Sequence, residues 1–269
     1  MPEGDTLFRT AAVLREVLLG RDVTAARGRP GGAALGRVVG SRVVSVEARG
    51  KHLLIGFDAG LTLHTHLRMN GSWHRYRTGE PWRRSPARAV AVIEVPGMVA
   101  VCFDAPTVEL MDTAALAIHP ALAALGPDLL APEPDLDAAV ARLSAPERAA
   151  TPIGEALLDQ TALAGLGNVY RSEVCFIERV DPFASVGALA RGTVRRMLGT
   201  GARLLAANVS GGTRTTVHRS RPGTLFVYGR AGRPCRRCGT LIRTRVTGEL
   251  PRRTYWCPTC QPEVPVGVR

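Results

Sequence analysis

Cys235-Arg236-Arg237-Cys238 and Cys257-Pro258-Thr259-Cys260 make a C-x2-C-x18-C-x2-C array near the end of this 269-residue chain. Each pair lies on a knuckle that can offer two thiolates to one tetrahedral ion, and a single structural zinc is the expected metal. A redox or iron–sulfur role is the alternative. The spacer, Gly239 to Trp256, has room for two strands and a turn near Thr247-Gly248-Glu249, so a metal-pinned β-hairpin follows. The other two cysteines, Cys102 and Cys175, sit alone in apolar text and read as buried thiols. Disulfides are not expected in a cytoplasmic chain.

The array is embedded in positive charge. Between Thr213 and Arg253 there are eleven arginines against one acid, Glu249. Such a run is often only a solvated face, but here it shares the segment with Tyr228, Tyr255 and Trp256, which favours contact with a phosphate backbone. A net charge of +12 and a pI near 10.6 point the same way, to a polyanionic partner. A membrane surface is the weaker candidate because no long amphipathic basic helix stands out. No run reaches the ~18 apolar residues of a membrane span, and the start lacks the pattern of a signal peptide. A cytoplasmic monomer is expected. Lys51 is the one lysine among all these arginines. A compact ammonium that arginine cannot replace would explain its survival, and so would chance.

Upstream, the text divides in two. Asp5 can cap a helix running to Gly20, with Leu7, Ala11, Leu14 and Leu18 on one face. From about Arg37 to Val101 the text turns to short β-rich runs at Val38-Val39, Val43–Val46, Leu53–Ile55, Leu61–Leu63, Ala89–Val95 and Met98–Phe103. Their number predicts a sandwich or barrel, with Pro81 to Pro86 as a loop. An Ala/Pro/Leu-rich stretch broken by Gly126-Pro127-Asp128 then reads as a boundary. Helices are expected over Leu136–Leu143, over Pro152–Gln160 with Thr151 as cap and Pro152 in the first turn, over Val169–Arg179 and over Val194–Asn208. The resulting division is an N-terminal domain 1–118, a linker 119–135, a helical domain 136–224, a finger 225–262 and a tail 263–269.

Three motifs carry chemistry outside the cysteines. Leu163-Ala164-Gly165-Leu166-Gly167-Asn168 lies between two expected helices, where glycines allow a tight turn and Asn168 caps the second helix. Such a turn can grip a phosphate or merely close a helical hairpin. Arg49-Gly50-Lys51-His52 and His64 to Trp73 put histidines near a strand end; metal is the minor reading there, because no third ligand has suitable spacing. Met69, between Arg68 and the turn at Asn70-Gly71, is a candidate wedge into a base stack. Finally, Met1-Pro2-Glu3 would expose a secondary amine at Pro2 once Met1 is removed, with Glu3 beside it to move protons. An amine of this type condenses with an aldehyde-level carbon to an iminium. A frayed terminus is the bland alternative.

From Pro2-Glu3-Gly4-Asp5 through Gln261 the chain resembles the formamidopyrimidine-DNA glycosylase and endonuclease VIII family, and looks closest to its actinobacterial endonuclease VIII branch. The resemblance implies an α+β protein: an N-terminal β-sandwich with flanking helices, a helix-two-turns-helix domain and a C-terminal zinc-finger β-hairpin. It implies a base-excision-repair glycosylase with lyase activity on damaged DNA. Pro2 would be the Schiff-base nucleophile, Glu3 the acid/base, Lys51 the lysine that supports β-elimination, and Arg252 the finger arginine at the lesion's phosphate. Asn168 and His66 would contact phosphate, while Met69, flanked by Arg68, would fill the gap left by the flipped nucleotide; Arg253 adds charge on the finger. Asp104-Ala105-Pro106-Thr107-Val108 lacks the Arg-Phe pair of the purine-lesion branch, which favours oxidised pyrimidines. Oxidised purines, abasic sites alone, or a non-catalytic zinc-ribbon protein are the alternatives.

Overall fold

Apolar runs spaced by Gly and Pro build the first half of the chain. In the computed structural model, which describes residues 2–248 and 251–263, α1 (Gly4–Leu18) is followed by β1 (Ala25–Gly28), β2 (Val43–Arg49), β3 (His52–Phe57) and β4 (Leu61–His66). β5 (Ser72–Arg77), β6 (Ala89–Val95), β7 (Met98–Phe103) and β8 (Thr107–Asp112) complete two four-stranded sheets, ordered β1-β6-β7-β5 and β2-β3-β4-β8. Their pairings are all antiparallel. Leu53, Ile55 and Leu63 from one sheet meet Ala91, Ile93, Ala100 and Cys102 from the other in a single core, which α1 joins through Leu7, Ala11, Leu14 and Leu18. Each fully buried aliphatic side chain there contributes roughly 1.5–3 kcal/mol. The architecture is a β-sandwich.

β1, β5 and β8, absent from the expected strands, all lie at sheet edges, where one flank faces solvent and apolar runs are not required. Val38-Val39, expected as a strand, is the end of a 3₁₀ turn with Val38 buried and Val39 exposed, so only one side chain serves the core. Asp5 does not cap α1; Glu3 is the N-cap residue, and Asp5 lies buried in the first turn. The Pro81–Pro86 loop has a packing role, since Trp82 stacks on Tyr76 and meets Phe103 edge-on, covering the outer face of β5 and β7. After α2 (Pro120–Ala123), the first compact unit ends at Ala124 and the second begins at Leu125.

The second unit is helical. α3 (Leu136–Leu143) is capped by the Asp135 carboxylate, which accepts from the Ala138 amide at 2.8 Å. α4 (Ile153–Ala156) is only one turn, with Pro152 rather than Thr151 at its N-cap, so the expected Pro152–Gln160 helix is too long. Gln160 is the reason: its amide nitrogen donates to the carbonyls of Leu158 at 2.9 Å and Leu166 at 3.1 Å, and its oxygen accepts from Gly165 N–H at 3.1 Å. These bonds hold 158–166 as turns. Gly165, at φ 105°, takes a backbone conformation that a side chain would strain. α5 (Asn168–Ile177) and α6 (Arg191–Ala206) then pack through Tyr170, Val174, Val194, Leu198 and Leu205. The N-cap of α5 is Gly167, not Asn168, which is the first residue of the helix. β9 (Arg243–Thr247) and β10 (Arg252–Trp256) form the antiparallel C-terminal hairpin. Glu249 of its expected turn, Met1, and residues 264–269 of the expected tail lie outside the described residues.

Candidate active site and metal centre

The N-terminal residues are held in place by the helix they start. The Glu3 carbonyl accepts from Thr6 and Leu7 amides at 2.9 and 3.2 Å, so the backbone at residue 3 is fixed. Pro2 is half-buried and the Glu3 side chain fully buried. Residue 3 is thus anchored to the helix.

In the same unit, β2 and β3 are joined by a tight turn in which Gly50 takes φ 55°, and Lys51 sits at that turn, partly exposed. Strand register places His52 opposite His66, next in line to Lys51. Burial pushes the His66 pKa down to about 4, with Arg68 and Lys51 adding to the effect, and burial likewise pushes His52 to about 3. Both rings are therefore neutral at pH 7. The Arg68 amide donates to His66 Nδ1 at 3.2 Å, which leaves the ring proton on Nε2 and makes His66 an N–H donor. That tautomer suits an anion.

Beyond β4 the chain turns sharply. Gly71 N–H donates to the Leu67 carbonyl at 2.9 Å, and Arg68 is held at φ 48°. A Cβ on Gly71 would stand 2.6 Å from the Leu67 oxygen, so the turn needs glycine. Met69 projects from it, 61% exposed. An apolar side chain so placed is free to enter a stack of bases. Arg84, which the sequence reading did not single out, ties this turn to the next strand connection: it donates to the Asn70 carbonyl at 3.4 Å and pairs with Asp104 at 2.6 Å. Arg88 pairs with Asp104 as well, at 2.8 Å, and the two guanidiniums hold that carboxyl below its ordinary range. No sequence periodicity announces these contacts, because they join two loops.

In the second unit, Asn168 meets the finger. Its amide nitrogen donates to the Arg253 carbonyl at 3.2 Å, linking the start of α5 to β10, while its Oδ1 is buried without a hydrogen-bond partner among the described residues. This bond, and not a helix cap, is what the side chain does. Arg252 lines an open cleft of about 610 Å³ with Thr151, Glu155, Asp159 and Arg171. The arginine run is not uniformly free for a partner. Arg236 donates to the Leu225 carbonyl at 3.0 Å, Arg237 stacks 4.4 Å over Phe176, and Arg245 stacks 4.5 Å over Phe183. Those three fasten the finger to its own unit.

A residue missed by sequence reasoning is Glu173. Its fully buried carboxylate accepts from the amides of Phe226, Val227 and Tyr228, each at 2.8 Å, and from the Thr216 hydroxyl. The segment entering the finger is thus gathered onto α5. At the finger's other end Gln261 accepts from Cys257 N–H at 2.9 Å and donates to the Val180 carbonyl at 2.8 Å.

Between these anchors the four cysteines converge. Cys235 and Cys260 sulfurs lie 3.9 Å apart and Cys238 and Cys257 sulfurs 3.5 Å apart, with all four within 4.8 Å of one another. Sulfurs bound tetrahedrally at ~2.3 Å would stand roughly 3.8 Å apart, so the donor set fits a metal ion. Hydrogen bonds from Thr240 lower the Cys238 thiol to about 6, whereas burial and the neighbouring sulfurs push Cys260 up to about 12. Four thiolates cannot gather here without a cation. Cys102 and Cys175, by contrast, are buried alone, and burial pushes Cys175 up to about 12 and Cys102 higher still; both are inert.

Comparison with known proteins bears on both units. Residues 1–106 match the formamidopyrimidine-DNA glycosylase N-terminal domain and residues 125–219 the H2TH domain of the same glycosylases. The chain is 44% identical to a probable endonuclease 8 2 of Streptomyces coelicolor, over 97% of this chain and 94% of that protein. It is 42% identical to the DNA-(apurinic or apyrimidinic site) lyase Nei2 of Mycolicibacterium smegmatis, over 97% and 99%. Among solved structures, MutM in complex with DNA containing carbocyclic 8-oxo-G matches with a TM-score of 0.83 at 22% identity, covering 97% of this chain and 100% of that one. At that identity the likeness speaks to the fold. No helix among the described residues is long and apolar enough to cross a membrane.

Proposed function

The chain belongs to the formamidopyrimidine-DNA glycosylase and endonuclease VIII family, and we propose that it excises oxidised pyrimidines from DNA and cuts the strand at the abasic site, acting as a cytoplasmic monomer. The observation that carries this reading is the N-terminus: half-buried Pro2 directly precedes Glu3, the N-cap of α1, whose carboxyl is fully buried. A damaged base pairs and stacks poorly, which lowers the cost of flipping it out. The Pro2 nitrogen attacks C1′ of the flipped nucleotide, the base leaves with a proton, and an iminium joins protein to opened sugar. Glu3 moves protons in these steps. The iminium acidifies C2′, so loss of a C2′ proton expels the 3′ phosphate, and a second elimination expels the 5′ phosphate. Water then releases the sugar and regenerates the amine.

Around that chemistry the other residues hold phosphates. Lys51 supports β-elimination from the β2–β3 turn, the His66 Nε2–H donates to a phosphate, and Met69, flanked by Arg68, fills the vacated stack. Asn168 has two amide hydrogens; one goes to Arg253, and the other serves a phosphate. Cys235, Cys238, Cys257 and Cys260 hold one structural zinc, which supplies folding energy and no chemistry. Cys257→Ser is expected to release that zinc and loosen the hairpin while leaving the sandwich folded. Elemental analysis checks it, and a wild-type protein with well under one zinc per chain contradicts the assignment.

Arg252 and Arg253 separate two uses of charge. Arg253→Ala should weaken undamaged-duplex binding and lower its salt slope by roughly one phosphate's worth. Arg252→Ala should instead cut single-turnover strand cleavage by a larger factor than it weakens that binding, since a contact made mainly in the reacting state acts on the barrier. Identical profiles for the two variants would mean that the finger binds DNA without serving the reaction.

The pyrimidine preference rests on Asp104 to Val108, which carry no Arg-Phe pair; Asp104 pairs with Arg84 and Arg88 instead. Action on abasic sites alone is the second reading, favoured by the lyase name of the M. smegmatis relative. Borohydride trapping on oligonucleotides with one defined lesion each distinguishes them. Ring-saturated pyrimidines should trap at least about tenfold faster than 8-oxoguanine. Trapping only on preformed abasic sites supports the second reading, and none at all removes both.

A further inference from the structure

Apart from the residues given roles above, the first unit contains a cluster of imidazole and carboxylate groups on β4, β8 and the chain just before α2. The His64 ring is buried, and its Nδ1 lies 2.8 Å from Glu109 Oε2. Strand register places the two residues directly opposite each other on β4 and β8. His119, the N-cap of α2, brings its Nε2 within 3.2 Å of the same carboxylate oxygen. Its backbone is fixed, because its carbonyl accepts from Leu122 and Ala123 amides at 3.0 and 2.8 Å. Behind His64, the far nitrogen Nε2 stands 2.8 Å from His52 Nδ1.

We propose that His64 Nδ1, Glu109 Oε2 and His119 Nε2 form a second metal site, separate from the cysteine centre, that takes a divalent first-row transition ion such as Zn²⁺. The three ligand atoms already lie within 4.8 Å of one another. Ligands at ~2.0–2.1 Å in a tetrahedron stand roughly 3.3 Å apart, so the 2.8 and 3.2 Å contacts would open by a few tenths of an ångström while the two histidine nitrogens, within 4.8 Å, settle at the same spacing. Two imidazoles and one carboxylate are a donor set that zinc uses with its remaining position open to solvent, and the Glu109 side chain, 47% exposed, provides that opening. A metal-bound imidazole commonly donates its other N–H to a fixed partner, and His52 is in place to accept from His64. Metal was the minor reading at His64 for want of a third ligand at suitable spacing; Glu109, 45 residues further along, and His119, 10 residues beyond that, reach it only through sheet pairing and the α2 start.

Loading the site moves protons without releasing one from the rings. With no ion bound, His64 donates from Nδ1 to Glu109 and accepts from His52 at Nε2. With the ion on Nδ1, the His64 proton sits on Nε2 and His52 must accept it, so the His52 proton shifts to its own Nε2. Metal occupancy therefore reverses the hydrogen-bond polarity at His52, the neighbour of Lys51. The far nitrogen of His119, Nδ1, is buried without a partner among the described residues in either arrangement and does not discriminate between them.

The site does not depend on the glycosylase reading and is tested without DNA. Full-length protein with its cysteine centre filled by zinc is titrated with Co²⁺, following visible absorption and, by equilibrium dialysis, bound metal per chain. The wild type should take one further equivalent with the weak d–d bands of a nitrogen and oxygen site and no sulfur-to-metal charge transfer. Two conservative tests, His119→Ala and Glu109→Gln, should each lower that affinity by at least about tenfold while the zinc content stays at one. Long-range ¹H–¹⁵N spectra with Zn²⁺ should show the His52 tautomer change. No further equivalent in the wild type would reduce the cluster to a hydrogen-bonded network, and a second equivalent that both variants retain would place the ion elsewhere; either result overturns the proposal.

Discussion

Glu173→Ala is expected to destabilise the second unit by about 3–5 kcal/mol and to take the entry to the finger with it. One buried carboxylate accepts three backbone N–H groups at 2.8 Å and the Thr216 hydroxyl, so truncation orphans several donors at once. Each buried donor left unsatisfied costs roughly 1–3 kcal/mol, and water entering the gap recovers part of that. Glu173→Gln keeps one acceptor oxygen but turns an NH₂ toward amides that also donate, so it should lose about half as much. Urea unfolding followed by Trp256 fluorescence and by zinc content measures the effect at the finger itself. An unchanged midpoint for the alanine variant would mean that the 226–228 segment is held by packing alone, through Val227 against Phe176 and Ile242.

Blocking the Pro2 amine should have the largest effect on activity. If Met1 is retained, the Pro2 nitrogen becomes an amide, its lone pair is delocalised, and no iminium can form there. Strand cleavage should then fall by at least about a thousandfold, the scale on which removal of a covalent nucleophile acts. The same variant should fold normally, because α1 is fixed by backbone bonds from Thr6 and Leu7 and by Leu7, Leu14 and Leu18 in the core. Cleavage that survives blocking would place the nucleophile elsewhere in the chain.

How much of this was legible in the sequence depends on what kind of contact carries each feature. The central strands and α1 announce themselves because burial imposes a period on their apolar residues, and the cysteine array because metal ligation imposes a spacing. Edge strands such as Ser72–Arg77 carry no such constraint, since Arg75 and Arg77 on them face solvent or pair with Glu16. Helix caps were misplaced by one or two residues: Asp5 lies in the first turn of α1, Asn168 spends its side chain on the Arg253 carbonyl, and Thr151 stands just ahead of the N-cap Pro152. Glu173, Arg84 and the Glu109 and His119 partners of His64 were invisible for a common reason. Each joins segments distant in sequence through one polar side chain, and a single Glu or Arg on a helix or loop has no local signature of its partners. Asn168 was legible as a residue of note, but its bond to the Arg253 carbonyl was not.

The central claim is that the Pro2 amine attacks the sugar, and locating the covalent bond tests it most directly. Mature protein is incubated with an oligonucleotide carrying one abasic site, the complex is reduced with borohydride, and the adduct is mapped by mass spectrometry after digestion of both protein and DNA. The account predicts a reduced sugar remnant on the peptide that begins at Pro2, on its nitrogen, and no adduct with the Met1-retained form. A remnant on Lys51, or an adduct formed equally well by the Met1-retained protein, would contradict it.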